Sequence, residues 1–270
     1  MRWSAIVGLG AALALLLLGW SALQVTSREN ATRVLRETLT SLTEVDSLLD
    51  QEYAALVAEA RERGREPMTV PHYAVEVTIP ANELAAMSKA ALRARLLSVG
   101  ADRMYDEGLT AFEREPGSTS DDLLGGDIFS ARGIFRLTVG QLRAGSHDVA
   151  RLVVVVAAVL TAIALALVVR ISDGPRRLRN LGVGILMGTV PVGLALIGVR
   201  FGLRIVSDGV DDPFSATLLD TGGDVFWIPV RNFLIFASLG AVIAVGATGL
   251  KAWEGRDEEA PAEGRAIRSR

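Results

Sequence analysis

Residues 152–169, LVVVVAAVLTAIALALVV, decide the fold: the run carries no charge, holds one hydroxyl, and stops at Arg170. A bilayer's hydrocarbon core is about 30 Å thick and takes about 20 apolar residues of helix, so a run of this length is read as a membrane span. Three similar runs flank it. The first extends from Trp3 to Val25, another begins at Leu181 and is free of charge until Arg200, and the last runs from about Phe226 to Leu250 with Arg231 near its start. The whole chain agrees with them: of 270 residues half are hydrophobic, 22% are charged, and the mean hydropathy is +0.35. The expected fold class is an all-α polytopic membrane protein, with four transmembrane helices and a mainly helical extracytoplasmic domain between the first two.

Charge in the short connections sets the expected orientation. Residues 170–180 hold Arg170, Arg176, Arg177 and Arg179 against one acid, Asp173, whereas 207–225 hold Asp208, Asp211, Asp212, Asp220 and Asp224 and no base. The basic turn is therefore expected in the cytoplasm. Arg2 before the first span, and Lys251, Arg256, Arg265, Arg268 and Arg270 after the last, put both termini on that side. The expected division is 1–25 first span, 26–151 extracytoplasmic domain, 152–169 second span, 170–180 cytoplasmic basic turn, 181–206 third span, 207–225 acidic outer loop, 226–250 fourth span, and 251–270 a disordered cytoplasmic tail. Trp3, Trp20, Trp227 and Trp253 fall at the ends of the first and fourth spans, where amphipathic rings prefer to lie. The first run can also be read as a cleaved signal peptide. Its length exceeds a usual signal core, which favours an uncleaved anchor. Only Lys89 and Lys251 among 28 basic residues are lysine, a skew read as the codon bias of a GC-rich, bacterial genome. An integral, multi-pass inner (plasma) membrane protein follows.

Between the first two spans, 29–64 contains no proline, and Leu35, Leu42, Leu49 and Leu56 recur every seven residues. That stripe predicts one long helix, with Leu39, Asp46, Tyr53 and Ala60 at the alternate seam positions. The seam Leu35, Leu39, Leu42, Leu49, Tyr53 and Leu56 either packs on the rest of the domain or forms a coiled coil with another chain. Tyr73, Val75, Val77 and Ile79 alternate with Ala74, Glu76 and Thr78, the period of a short strand. It pairs with another subunit or serves as an extended connector ended by Pro80. A second helix then starts at Pro80, with Leu84, Met87, Ala91, Leu96, Leu97, Met104, Leu109 and Phe112 as its apolar face and a break at Gly100, running back along the first as a long helical hairpin. Glu115 to Gly126 reads as a loop. Beyond it Arg132, Arg136 and Arg143 share one side of a helical wheel, with Phe135 and Leu142 on another. These arginines either contact phosphate headgroups or form a solvated face.

Chemistry is scarce. Without cysteine there is no disulfide, thiol nucleophile or thiolate metal site, and His72 and His147 are the only imidazoles. No phosphate loop, His-Glu-x-x-His or Gly-x-Ser-x-Gly motif is present, so no catalytic residue, metal or cofactor is assigned. Arg200, Arg204 and Arg231 form an expected basic cluster at the outer interface, where snorkelling to headgroups competes with a transport vestibule. Gly184 and Gly188 make a Gly-x-x-x-Gly pair, and Gly240 with Ala244 a second small strip, both suited to close helix contact within the chain or with a second subunit. The functional expectation is a non-enzymatic scaffold, sensor-like protein or accessory subunit. Its partners are membrane lipid and another protein or itself, with no nucleic acid; the alternative is a transporter or channel component using the arginine cluster.

Overall fold

The computed structural model describes residues 2–43, 45–73, 75–112, 140–174, 176–209 and 213–259, and these are nearly all helical. In chain order the elements are α1 (Arg2–Val25), α2 (Arg28–Leu42), α3 (Val45–Arg63), β1 (Pro67–Thr69), β2 (Thr78–Pro80), α4 (Ala81–Ala86), α5 (Lys89–Glu107) with a 3₁₀ turn at Gly108–Phe112, α6 (Ala144–Ile171), α7 (Arg176–Asp208) and α8 (Pro213–Glu259). Four stretches are long and apolar enough to cross a membrane: Trp3–Val25, Ala144–Ile171, Arg176–Asp208 and Leu219–Gly249. The chain divides into two compact units. One comprises Met1–Ser21, Arg151–Val199 and Trp227–Arg270; the other comprises Ala22–Ala150 with Arg200–Phe226.

In the first unit α7 is the central contact, and glycine is the reason. A Cβ on Gly188 would collide with the carbonyl oxygen of Gly10, and one on Gly10 would lie 2.9 Å from the carbonyl oxygen of Gly184. On another face, a Cβ on Gly182 would lie 2.6 Å from the backbone nitrogen of Ala244 and 2.8 Å from the oxygen of Gly240. The Gly184 and Gly188 pair thus receives α1, and Gly240 with Ala244 receives α7 through Gly182, so the contacts are made within the chain. Phe233 of α8 is fully buried with Leu13 and Leu17 of α1. Asn232 donates from Nδ2 to Ser21 Oγ at 3.0 Å, and Ser21 donates onward to the Leu17 carbonyl at 2.7 Å. In an apolar surround such bonds pin helix rotation where shape alone allows sliding. Pro191 and Pro229 sit inside α7 and α8, and both helices continue through them.

In the second unit a single core gathers Leu35, Leu39, Leu49, Leu56, Leu84, Leu92, Leu96, Leu97, Met104 and the hairpin residues Met68, Val70, Tyr73, Val75, Val77 and Ile79. Four sequence expectations are corrected here. The helix expected over 29–64 is two helices, because α2 ends at Leu42 and Thr43 is a bend. Thr38, Thr40 and Thr43 each donate a hydroxyl to the carbonyl four residues back, which competes with helix propagation in this hydroxyl-rich stretch. The second helix breaks at Met87 and Ser88 and passes through Gly100 intact; Ser88 caps α5 by accepting from the Ala91 amide at 3.2 Å. Gly100 instead allows close packing, since a Cβ there would meet Leu39 Cδ1 and Tyr73 Oη at 3.1 Å each. The buried residue near the start of α5 is Leu92, while Ala91 is exposed. The side chains of Leu42, Leu109 and Phe112 and the 115–126 loop lie outside the described residues.

The strand expected over Tyr73 to Ile79 and ended by Pro80 is shorter, Thr78–Pro80, with Val75 a bend, and it finds its partner in its own chain. β1 and β2 pair antiparallel with Met68 opposite Ile79, and the Val70 amide extends the ladder to the Val77 carbonyl at 3.0 Å. The period-two reading places Tyr73, Val75, Val77 and Ile79 inward, each at most 1% exposed. Elsewhere the acidic segment expected as a loop over 207–225 is helical from Pro213, and the tail expected to be disordered from 251 continues α8 to Glu259. Residues 260–270 lie outside the described residues.

Candidate functional site

The second unit concentrates its polar contacts at a junction where the end of α1 meets α5 and α6. Helix C-termini leave carbonyls without intrahelical donors, and here side chains supply them. Thr26 Oγ1 donates to the Ala22 carbonyl at 2.7 Å, while Ser27 Oγ and Asn30 Nδ2 both reach the Gln24 carbonyl at 2.8 Å. Tyr105 of α5 donates its hydroxyl to the Thr26 carbonyl at 3.1 Å. Arg28 lies over the Tyr105 ring, 5.2 Å from its centroid, and pairs with Asp106 and, at 3.5 Å, with Asp102. Burial, the largest cause, raises the Tyr105 hydroxyl above its ordinary pKa, and its hydrogen bond to Asp106, with their charge attraction, raises Arg28. From α6, His147 Nδ1 lies 3.3 Å from Thr26 Oγ1. The single Thr26 hydroxyl proton is already given to Ala22, so His147 Nδ1–H is the donor.

A second polar feature lies at the hairpin tip. His72 takes a left-handed backbone at φ 56, and its Nδ1 is 2.8 Å from Glu52 Oε1. Glu52 Oε2 is buried with no hydrogen-bond partner. A cavity of about 290 Å³ adjoins, lined by Thr69, Val70, Pro71, His72 and Glu76. A carboxylate on Nδ1 orients an imidazole, but among the described residues no three His, Asp or Glu side chains converge to hold a metal ion. Around the domain, Asp46 pairs with Arg93 at 2.7 Å, and this hydrogen bond holds its carboxyl below the usual range.

The residues singled out from the sequence are distributed as follows. Of the seam, Leu35, Leu39, Leu49 and Leu56 are buried in the intramolecular core, and Tyr53 is half-buried with its hydroxyl on the Met87 carbonyl at 2.8 Å. Asp46, at a seam position, is exposed. Arg200 and Arg204 belong to one unit and Arg231 to the other; Arg204 and Arg231 are exposed and Arg200 is half-buried. Arg132, Arg136 and Phe135 lie outside the described residues, Arg143 is exposed, and Leu142 is buried in the domain core. Gly184, Gly188 and Gly240 all stand at helix contacts. Sequence reasoning missed Gly182, Thr26, Tyr105 and the Arg28 cluster. For Gly182 the signal was its place two residues before Gly184; the junction had none, since its members are distant along the chain. Compared with family models, curated proteins and solved structures, the chain matches none of them.

Proposed function

We propose that this protein is a non-enzymatic integral membrane scaffold or accessory subunit whose helical domain acts outside the cytoplasm and engages another protein. The observation that carries the membrane part is the distribution of exposed apolar side chains. Trp3, Val7, Leu15, Leu18 and Trp20 are exposed on α1, and Val149, Leu152, Val155 and many others on α6 to α8. From residue 21 to 148 no large hydrophobic side chain among the described residues is exposed. Water disfavours such bands and lipid accepts them. The first span is read as retained, because Gly10, Leu13, Leu17 and Ser21 are integral to the helix packing. Arginine asymmetry puts residues 170–180 and both termini in the cytoplasm and the domain on the opposite side.

The domain reading rests on its construction. Leu35, Leu39, Leu49 and Leu56 of its seam are consumed by its own core, so a partner would meet its charged exterior, where Arg33, Arg36, Arg61 and Arg65 alternate with acids. The Tyr105, Arg28 and His147 junction ties that domain to the chain just after α1 and at the start of α6. Such a tie suits an accessory or sensor-like subunit that passes a docking event to its spans. Photo-crosslinking from Arg36 and Arg61 in native membranes, followed by identification of the adducts, tests this. A reproducible protein adduct supports the reading, and labelling of lipid and solvent alone defeats it.

A further inference from the structure

We propose that the arginine turn between α6 and α7 is a binding site for anionic phospholipid headgroups, an inference that rests on the membrane reading above. Arg170 lies in the last turn of α6, and Arg176, Arg177 and Arg179 occupy the first turn of α7, which contains no acid. All four are exposed, and among the described residues no carboxylate lies within ion-pair distance of any of them. Three cations crowded at the positive end of a helix repel one another and the helix dipole, a cost that a bound anion removes.

The turn is also held in shape without that anion. Ser172 is 4% exposed; its Oγ accepts from Asn180 Nδ2 at 2.9 Å and its carbonyl accepts from Arg177 Nε at 2.6 Å. Gly174 at φ 50 turns the chain, and the Arg177 amide closes on its carbonyl at 3.0 Å. With Nε committed to Ser172, Arg177 keeps its two terminal nitrogens for an external acceptor, and a planar guanidinium suits phosphate. Leu178 sits among these arginines and is 46% exposed. A soluble anion has no use for it, but a lipid presents phosphate and acyl chain together. The flanking apolar helices put the turn at the headgroup level of whichever leaflet it faces.

The test uses the full chain, purified and delipidated in neutral detergent, with bound lipid counted by native mass spectrometry. Short-chain phosphatidylglycerol, phosphatidylcholine and inorganic phosphate are titrated separately and in competition. Wild type is expected to hold phosphatidylglycerol at least about tenfold more tightly than phosphatidylcholine, each arginine contributing roughly fivefold, with the preference falling as salt rises. The triple variant R170Q/R176Q/R179Q, which spares the Arg177 bond to Ser172, should lose the preference, and the charge-matched variant R33Q/R36Q/R61Q should keep it. Equal retention of the two lipids by wild type overturns the proposal without reference to any variant. So does an equal loss in both triple variants, or displacement of phosphatidylglycerol by inorganic phosphate at matched concentration, which would make the ligand a soluble anion. Alkaline carbonate washing of the source membranes separates the two levels. Release of the chain defeats the membrane reading itself, whereas retention with no lipid preference defeats only this site.

Discussion

Replacing Leu49 by Ala tests whether the seven-residue stripe serves the chain's own core. Leu49 is 1% exposed and shares a core with Leu35, Leu39, Leu56 and Leu84. Truncating a fully buried leucine costs about 2–5 kcal/mol, and at about 1.36 kcal/mol per decade that is roughly a 30-fold to several-thousand-fold rise in the open population. Amide hydrogen exchange in α2 and α3 reads that population directly. With the chain in nanodiscs loaded at one copy each, the wild-type amides should be fully protected, because every partner of the stripe is present. Leu49→Ala should lose protection across both helices by the factor given, and Glu62→Ala, at an exposed site on α3, should change it by less than about threefold. A stripe serving a coiled coil between copies gives a different result: wild-type protection would be poor in single-copy discs and would recover at higher loading. That outcome, or an unaltered exchange pattern in Leu49→Ala, refutes the reasoning.

Three further outcomes follow from particular contacts. Burial raises the Tyr73 hydroxyl far above its ordinary pKa of about 10, so its folded form resists ionisation. The unfolded chain loses this proton first, and the stabilisation, complete below about pH 10, is lost progressively as pH climbs toward the folded value; Tyr73→Phe should flatten that alkaline decline in a pH series of melts. In α7, Gly182→Ala should disrupt the contact with α8, since its Cβ would lie 2.6 Å from the Ala244 nitrogen, whereas Gly198→Ala meets open space and should be neutral or stabilising by up to about 1 kcal/mol, as read by thermal melts in detergent. A double-mutant cycle of Ser21→Ala with Asn232→Leu should give a coupling of about 0.6 kcal/mol, at most about 1.7; additive effects would show that the bond does not join α1 to α8.

The four long apolar helices were legible because lipid demands an uninterrupted signal, and Trp3–Val25 is recovered residue for residue. Their ends were less so. Charge marks where a span leaves the hydrocarbon but not where hydrogen bonding stops, and α8 therefore begins at Pro213, in the acidic segment, and outlasts Leu250. In the domain, periodicity identified the inward faces of Leu35, Leu49, Leu56 and Val75 and overlooked the bend at Thr43, because no glycine or proline marks it. The hydroxyls of Thr38, Thr40 and Thr43 were the available sign. β1 was hidden by Pro67 at its first residue, next to Arg65 and Glu66, which read as a helix stop. The junction of Thr26, Arg28, Tyr105 and His147 is a product of tertiary folding, and no local pattern announces contacts that span up to 121 residues.

The central claim, a helical domain on one side of a membrane and the basic turn on the other, is tested most directly by two single cysteines in a chain that has none. Glu62 and Asp173 are both exposed, so neither substitution disturbs packing. With a membrane-impermeant thiol reagent on intact cells, Glu62→Cys is expected to label at once and Asp173→Cys only after the membrane is opened. Labelling of Asp173→Cys in intact cells, with Glu62→Cys protected, would contradict the account.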